Sequence, residues 1–214
     1  QLPDELSTYD IVITSNARHS ENTIEHLAQF VRAGGGWHMF VNLAEHPLPP
    51  IFGVQQEPLG PTAELRVLFE NTNHPIAVRL PDAVYLAGRY HALSKTAENT
   101  ETILYADWHY SHSAVLTCRR VGAGNVACTT LQDYSHPDLQ RILFRLFYQL
   151  AGRRMNESSL GIGILGYAPS VGQIHSFGVA NTPGLSLRAI CDLNPKRLDQ
   201  ARQDFPARPS CWPI

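Results

Sequence analysis

No apolar run in this 214-residue chain approaches the roughly 20 residues that a helix needs to cross a bilayer. No stretch has the make-up of a secretory signal peptide. Charge is scarce: 17% of residues are charged and the net charge is -2, so there is no electrostatic ground for a nucleic-acid partner. Cysteine is sparse and scattered. Cys118, Cys128, Cys191 and Cys211 contain no CxxC pair and read as reduced thiols of a cytoplasmic protein, with a Cys118–Cys128 disulfide across a hairpin as the minor alternative. What is present is 43% hydrophobic residues, enough to bury a core, in a length that suits one large domain or two small ones. The chain opens on Gln1 just before an apolar strand and stops at Ile214 just after a helix, which reads as a piece of a longer protein.

Short apolar, β-branched runs alternate with amphipathic stretches. Residues 11–14 read as a buried strand, 20–33 as a helix capped by Ser20 or Asn22, and 37–42 as a second strand after Gly34, Gly35 and Gly36. Strand, helix, glycines, strand is the βαβ rhythm of a parallel sheet. The proline-rich 47–61 reads as an irregular excursion, 64–70 as a strand and 74–82 as a loop. Strands follow over 102–108, 113–121 and 125–131, the last two joined through Gly122 and Gly124 as an antiparallel hairpin. Residues 138–151 give the clearest helix. Leu139, Ile142, Leu143, Leu146, Phe147 and Leu150 line one face, with Arg141 and Arg145 pointing away. No internal repeat is visible. The polar 153–159 reads as a linker between a domain over 1–152 and a second over 160–214.

The second stretch restarts the pattern: strand 160–165, helix 171–181, strand 185–192 and helix 195–205, with Asn194 as cap and Pro195 in the first turn. Gly161-Ile-Gly-Ile-Leu-Gly166 matches GxGxxG letter for letter. Gly161 and Gly163 nonetheless alternate with strand residues, whereas the fingerprint's glycines belong in the turn after the strand. The better loop is 166–172. Gly166 supplies its tight turn, Gly172 opens the helix, and amides near Ser170 to Gln173 are placed to face a phosphate. Asp192 closes the next strand, where a carboxylate accepts from ribose hydroxyls.

The segment LGIGILGY, the glycine loop, QIH, PGLSLRAICDLNPKRLDQA and DFP together resemble the start of the Gfo/Idh/MocA oxidoreductase family. The resemblance implies an NAD or NADP site on Gly166, Gly172, His175 and Asp192, to which the reading of the loop adds Tyr167, Ala168, Ser170 and Val171, with NAD favoured because a carboxylate repels a 2′-phosphate. Two departures stand out. The middle glycine is Ala168, and the Gly166–His175 spacing is one residue longer than usual. Only the opening of the first mononucleotide half is expected, and the family's lysine-bearing catalytic motif has no counterpart, so hydride transfer by this chain alone is not expected.

Residues 1–152 resemble the ThuA-like (trehalose-utilisation) family, related to class I glutamine amidotransferases. The resemblance rests on YDIVIT, LAQFVRAGGGWHMFV, HPIAVRLPD, RRVGAGNVACTTL and HPDLQRILFRLFYQLAG, with the family's first strand and helix missing. Where an amidotransferase carries its nucleophile, this chain reads Trp37-His-Met-Phe-Val-Asn-Leu43 without Cys or Ser, so that chemistry is rejected. The expected fold class is thus α/β, a flavodoxin- or amidotransferase-like parallel sheet followed by a partial Rossmann βαβα unit.

Asp107, His109 and His112 are residue types that ligate metals, weighed here below ordinary turn roles. His38 reads as a hydrogen-bonded core histidine. Glu45 and His46 follow a strand's carboxyl end and are candidate pocket residues, His74 and His136 suit capping, and Arg119-Arg120 suits a solvated strand end. Two functions remain open. One is the start of an NAD(P)-dependent oxidoreductase of sugar or polyol metabolism carrying a catalytically silent ThuA-like domain. The other is a non-enzymatic carbohydrate-binding or assembly module in which the truncated dinucleotide fold serves as a packing partner. The expected small molecule is a sugar or polyol, with neither nucleic acid nor membrane as partner, and a homo-oligomer is compatible with both.

Overall fold

The computed structural model describes residues 6–77, 80–108, 111–152, 160–169, 171–182, 185–206 and 210–213. Largely apolar runs form the central strands because both of their faces are covered. These are β1 (Ile11–Ser15), β2 (Gly36–Phe40) and, after the 153–159 stretch that lies outside the described residues, β10 (Leu160–Leu165) and β11 (Leu185–Asp192). Helix α1 (Glu21–Arg32) starts where Ser20 accepts from the Thr23 amide at 3.2 Å. Helix α2 (Pro137–Leu150) buries its whole predicted apolar face. Arg145 does not simply face water, because its guanidinium donates to the Ile76 carbonyl at 2.7 Å. Helices α3 (Gly172–Asn181) and α4 (Pro195–Asp204) follow the last strands, and Asn194 caps α4 through the Lys196 amide.

Among the described residues, one twelve-stranded sheet runs through the chain. With β9 (Gly124–Thr129) and β12 (Ser210–Pro213), its order begins β12-β11-β10-β1-β2-β9, parallel throughout. An antiparallel wing then adds β8 (Ser111–Val121), β7 (Thr100–Trp108), β4 (Ala63–Phe69) and β5 (Ala83–Gly88). The fold is mixed α/β, of the flavodoxin-like kind.

The stretches expected to be separate domains share this sheet. β10 lies directly against β1, pairing Ile11 with Ile162 and Ile13 with Ile164. Both are apolar on both faces, so each supplies the neighbour that the other's ladder requires. The wing is larger than the sequence suggested. Within the supposedly irregular 47–61, β3 (Val54–Leu59) pairs with β6 (His91–Lys95), and its ladder shifts between Gln56 and Leu59. Pro58 sits in that irregularity, where a missing amide costs no ladder bond. β5 and β6 also form where no element was assigned. The alternation of β5 is short, and its pairing with β4 supplies the order.

Two cores flank the sheet. One face holds Ile11, Ile13 and Phe40 with Leu143 of α2, Val179 of α3 and Ala201 of α4. The other holds Val12, Trp37 and Met39 with Leu27, Phe30 and Val31 of α1. Helix α3 therefore leaves β10 toward one face, while α1 leaves β1 toward the other. Between those strands lies a topological switch point, the kind of place where open α/β sheets bind ligands.

Candidate functional site

Gly161 and Gly163 are buried inside β10, and the Gly161 amide donates to Asp10 at 2.9 Å. The turn comes at Gly166, as the spacing predicts. Its φ of +94° is a left-handed conformation that an L side chain rarely adopts. Gly172 packs so tightly against this turn that a Cβ there would meet the Gly166 carbonyl oxygen at 1.9 Å. Gly166, Tyr167, Ala168, Val171, Gly172 and Asp192 are thus brought together at the carboxyl ends of β10 and β11, while Ser170 lies outside the described residues.

The loop is closed on itself. The Val171 and Gln173 amides, expected to face a phosphate, donate instead to the Ala168 carbonyl at 3.3 and 3.1 Å. Asp192 is buried, and its two oxygens accept from the amides of Tyr167 at 2.5 Å and Asn194 at 2.7 Å, with Arg197 at 3.6 Å. The Tyr167 side chain is buried and donates through its hydroxyl to Asp204 at 2.6 Å. In this conformation the carboxylate braces the turn from within, and two of the amides that a diphosphate would need are already engaged.

His175 does not join the loop. Its ring stacks on Phe40 at 4.2 Å and meets Tyr134 edge-on at 4.6 Å. Behind it His38 is fully buried with both ring nitrogens unpartnered, contrary to the hydrogen-bonded core histidine expected there. The strand's alternation aims His38 at Phe40 and Phe147, which offer ring edges and no acceptor. Burial pushes its imidazole down to about 3, helped by the charge of His175, and burial alone pushes His175 down to about 4.

A different set of residues meets beyond β2 and β9. Asn16, just past β1, accepts from the Asn42 amide and donates to the Ala44 carbonyl, both at 3.0 Å, and so pins the loop that leaves β2. Beside that loop is a hollow of about 570 Å³. Leu65, Leu86, Leu131 and Tyr90 form its apolar base, and Arg89, Gln132 and Asp133 supply polar groups. Its size falls within the range typical of small-molecule sites. Sequence reasoning missed Asn16, Arg89, Gln132 and Asp133. Asn16, Gln132 and Asp133 left a signal, a polar residue just past an apolar strand, and Arg89 left none. Glu45 and His46 line a neighbouring hollow of about 500 Å³ with Gln56 and Glu57.

The remaining candidates have local partners. Asp107 pairs with Arg66, and His112 bonds Glu70 at 2.6 Å while stacking on Tyr105; His109 lies outside the described residues. His74 and His136 do cap turns, accepting from the Ile76 and Asp138 amides. Of the arginine pair at the end of β8, Arg120 is exposed as expected, whereas Arg119 is half-buried and ties the strand to Asn99 at 2.8 Å and to the Ile51 carbonyl at 3.0 Å. The thiols of Cys118 and Cys128 are free and buried, and burial raises both to about 12. No described helix is long and apolar enough to cross a membrane.

No family model and no curated protein matches this chain. Solved structures do. A cytoplasmic protein from Salmonella typhimurium superimposes with a TM-score of 0.52 at 15% identity, over 69% of this chain and 74% of that one. A ThuA-like protein from Parabacteroides merdae gives 0.52 at 14% identity, over 72% and 75%. A β-galactosidase from Bacillus circulans sp. alkalophilus gives 0.56 at 18% identity, covering 71% of this chain but only 24% of the enzyme. At such identities the likeness concerns the fold alone, and that fold is the one shared by ThuA-like proteins.

Proposed function

We propose that this chain is a non-enzymatic module that binds a sugar or polyol at the carboxyl ends of β2 and β9. The observation that supports it is the convergence of Arg89, Gln132 and Asp133 over an apolar base of Tyr90 and Leu131 in one hollow. A polyol presents hydroxyls along one edge and C–H groups on its face. Arg and Gln donate to such hydroxyls, Asp accepts from them, and the leucines and Tyr90 cover the carbon face. The region after β2 holds no thiol or hydroxyl nucleophile, which argues for binding rather than covalent chemistry. On this reading the 160–214 stretch acts as the sheet's packing partner. Calorimetric titration with a panel of monosaccharides and linear polyols tests it. At least one should bind, and Asp133→Asn should weaken that ligand about tenfold without lowering the melting temperature. A panel with no binder at ~10 mM would sink the reading.

The order β12-β11-β10-β1-β2-β9 favours a second reading, the opening of an NAD(P)-binding unit. It matches the 3-2-1-4-5-6 order of a dinucleotide fold, with β1, β2 and β9 in the positions of the second half. This reading supports a parent oxidoreductase of sugar or polyol metabolism, and it requires the Val171 and Gln173 amides to leave the Ala168 carbonyl. Asp192 would then favour NAD, with Arg197 tempering the preference. Titration with NAD and NADP decides it: Ala168→Gly should tighten binding, and no heat from either cofactor at millimolar concentration rejects it.

A further inference from the structure

A groove of about 640 Å³ runs between α2 and α3, apart from the hollow assigned to a polyol. Leu143, Phe144 and Phe147 line its α2 side, and Ile174, Val179 and Leu185 the other. Helix α3 does not gather its apolar residues on one buried face, and it leaves Ile174 and Phe177 about half exposed. Among the described residues, the charges that line the groove are all of one sign: Arg141 and Arg145 stand on its wall with Gln140, and no carboxylate does. Arg145 holds the Ile76 carbonyl, and Arg141 pairs with Asp138 at 3.2 Å yet keeps two-thirds of its side chain exposed, with further N–H groups to donate. His175 also lines the groove, and its Nε2 is buried without a hydrogen-bond partner.

We infer that this groove binds an amphiphilic anion, an alkyl or aryl chain ending in a carboxylate. The chain lies along the phenylalanines and leucines, and the carboxylate is drawn to the guanidinium of Arg141. Such a group forms charge-assisted, two-point hydrogen bonds with arginine that an alcohol cannot reproduce. Gly178 gives the test its handle, because a Cβ built there meets nothing within 4 Å. Gly178→Leu therefore has room for its Cβ, puts an apolar side chain into the groove lining and improves the helix that carries it.

The experiment titrates the whole chain by calorimetry with decanoate, decanol and decyltrimethylammonium. Decanoate should bind with a Kd below ~1 mM and more tightly than the other two. Gly178→Leu should weaken it by at least about tenfold while the melting temperature holds or rises. Arg141→Glu should weaken decanoate about fivefold and leave decanol unchanged. The inference is overturned if decanoate does not bind, if the ammonium binds as well, or if Gly178→Leu has no effect. It is also overturned if sedimentation shows a dimer that Gly178→Leu abolishes, which would give the groove to a second copy of the chain.

Discussion

Replacing His38 by leucine should make the protein more stable and flatten its response to acid. The His38 ring is fully buried, both nitrogens lack partners, and its neighbours are Phe40, Phe147 and His175. Each buried, unsatisfied polar atom costs on the order of 1–3 kcal/mol, so an apolar side chain of similar volume should gain about 1 kcal/mol or more at pH 7.5. The acid response follows from proton linkage. The folded imidazole is held down at about 3, whereas an unfolded one titrates near 6.5. Below pH 6.5 the unfolded chain therefore takes up a proton that the folded chain refuses. Stability is fully present above that pH and falls as pH drops toward 3, by about 1.4 kcal/mol per pH unit. At pH 5 the loss from this one ring is about 2 kcal/mol. Urea denaturation from pH 7.5 to 4.5 measures both effects. His38→Leu should lie above the wild type throughout, with a slope lower by nearly one proton. An unchanged slope, or a variant less stable at pH 7.5, would refute the claim that the ring is buried, neutral and unpartnered.

Three further outcomes are expected. Gly172→Ala should destabilise the 160–214 stretch by more than about 3 kcal/mol, because its Cβ would meet the Gly166 carbonyl oxygen at 1.9 Å and backbone cannot step aside cheaply. Loss of hydrogen-exchange protection in β10 and β11 would report it. Asp192→Ala removes the acceptor of two backbone amides and should cost about 2–3 kcal/mol in chemical denaturation, without any cofactor present. An unaffected midpoint would show that Asp192 does not brace the turn. The Cys118 and Cys128 thiols should resist a thiol-titrating disulfide reagent in the native state and react on unfolding, since burial raises both to about 12.

Residue order alone carried the local decisions. Ser20 and Asn194 start helices because an oxygen-bearing side chain before an apolar or proline-led turn meets an orphan amide. The α2 stripe buries as its period requires, and the alternation around Gly161 and Gly163 placed them in a strand despite the motif they spell. Gly166 could be read as the turn because few residues other than glycine accept its φ.

Long-range pairing was beyond that reach. Nothing local says that β10 joins β1, that β3 finds β6 around Pro58, or that Arg89 and Asp133 come to share one hollow. Strand partners and pocket walls are chosen by which surfaces remain to be buried once the chain has collapsed. Tertiary structure also decided the fate of the loop at 166–172, where the Ala168 carbonyl and Asp192 engage the amides that a motif would have offered to a ligand. Sequence determines which backbone groups are available. Only the packed chain determines which of them are already bonded.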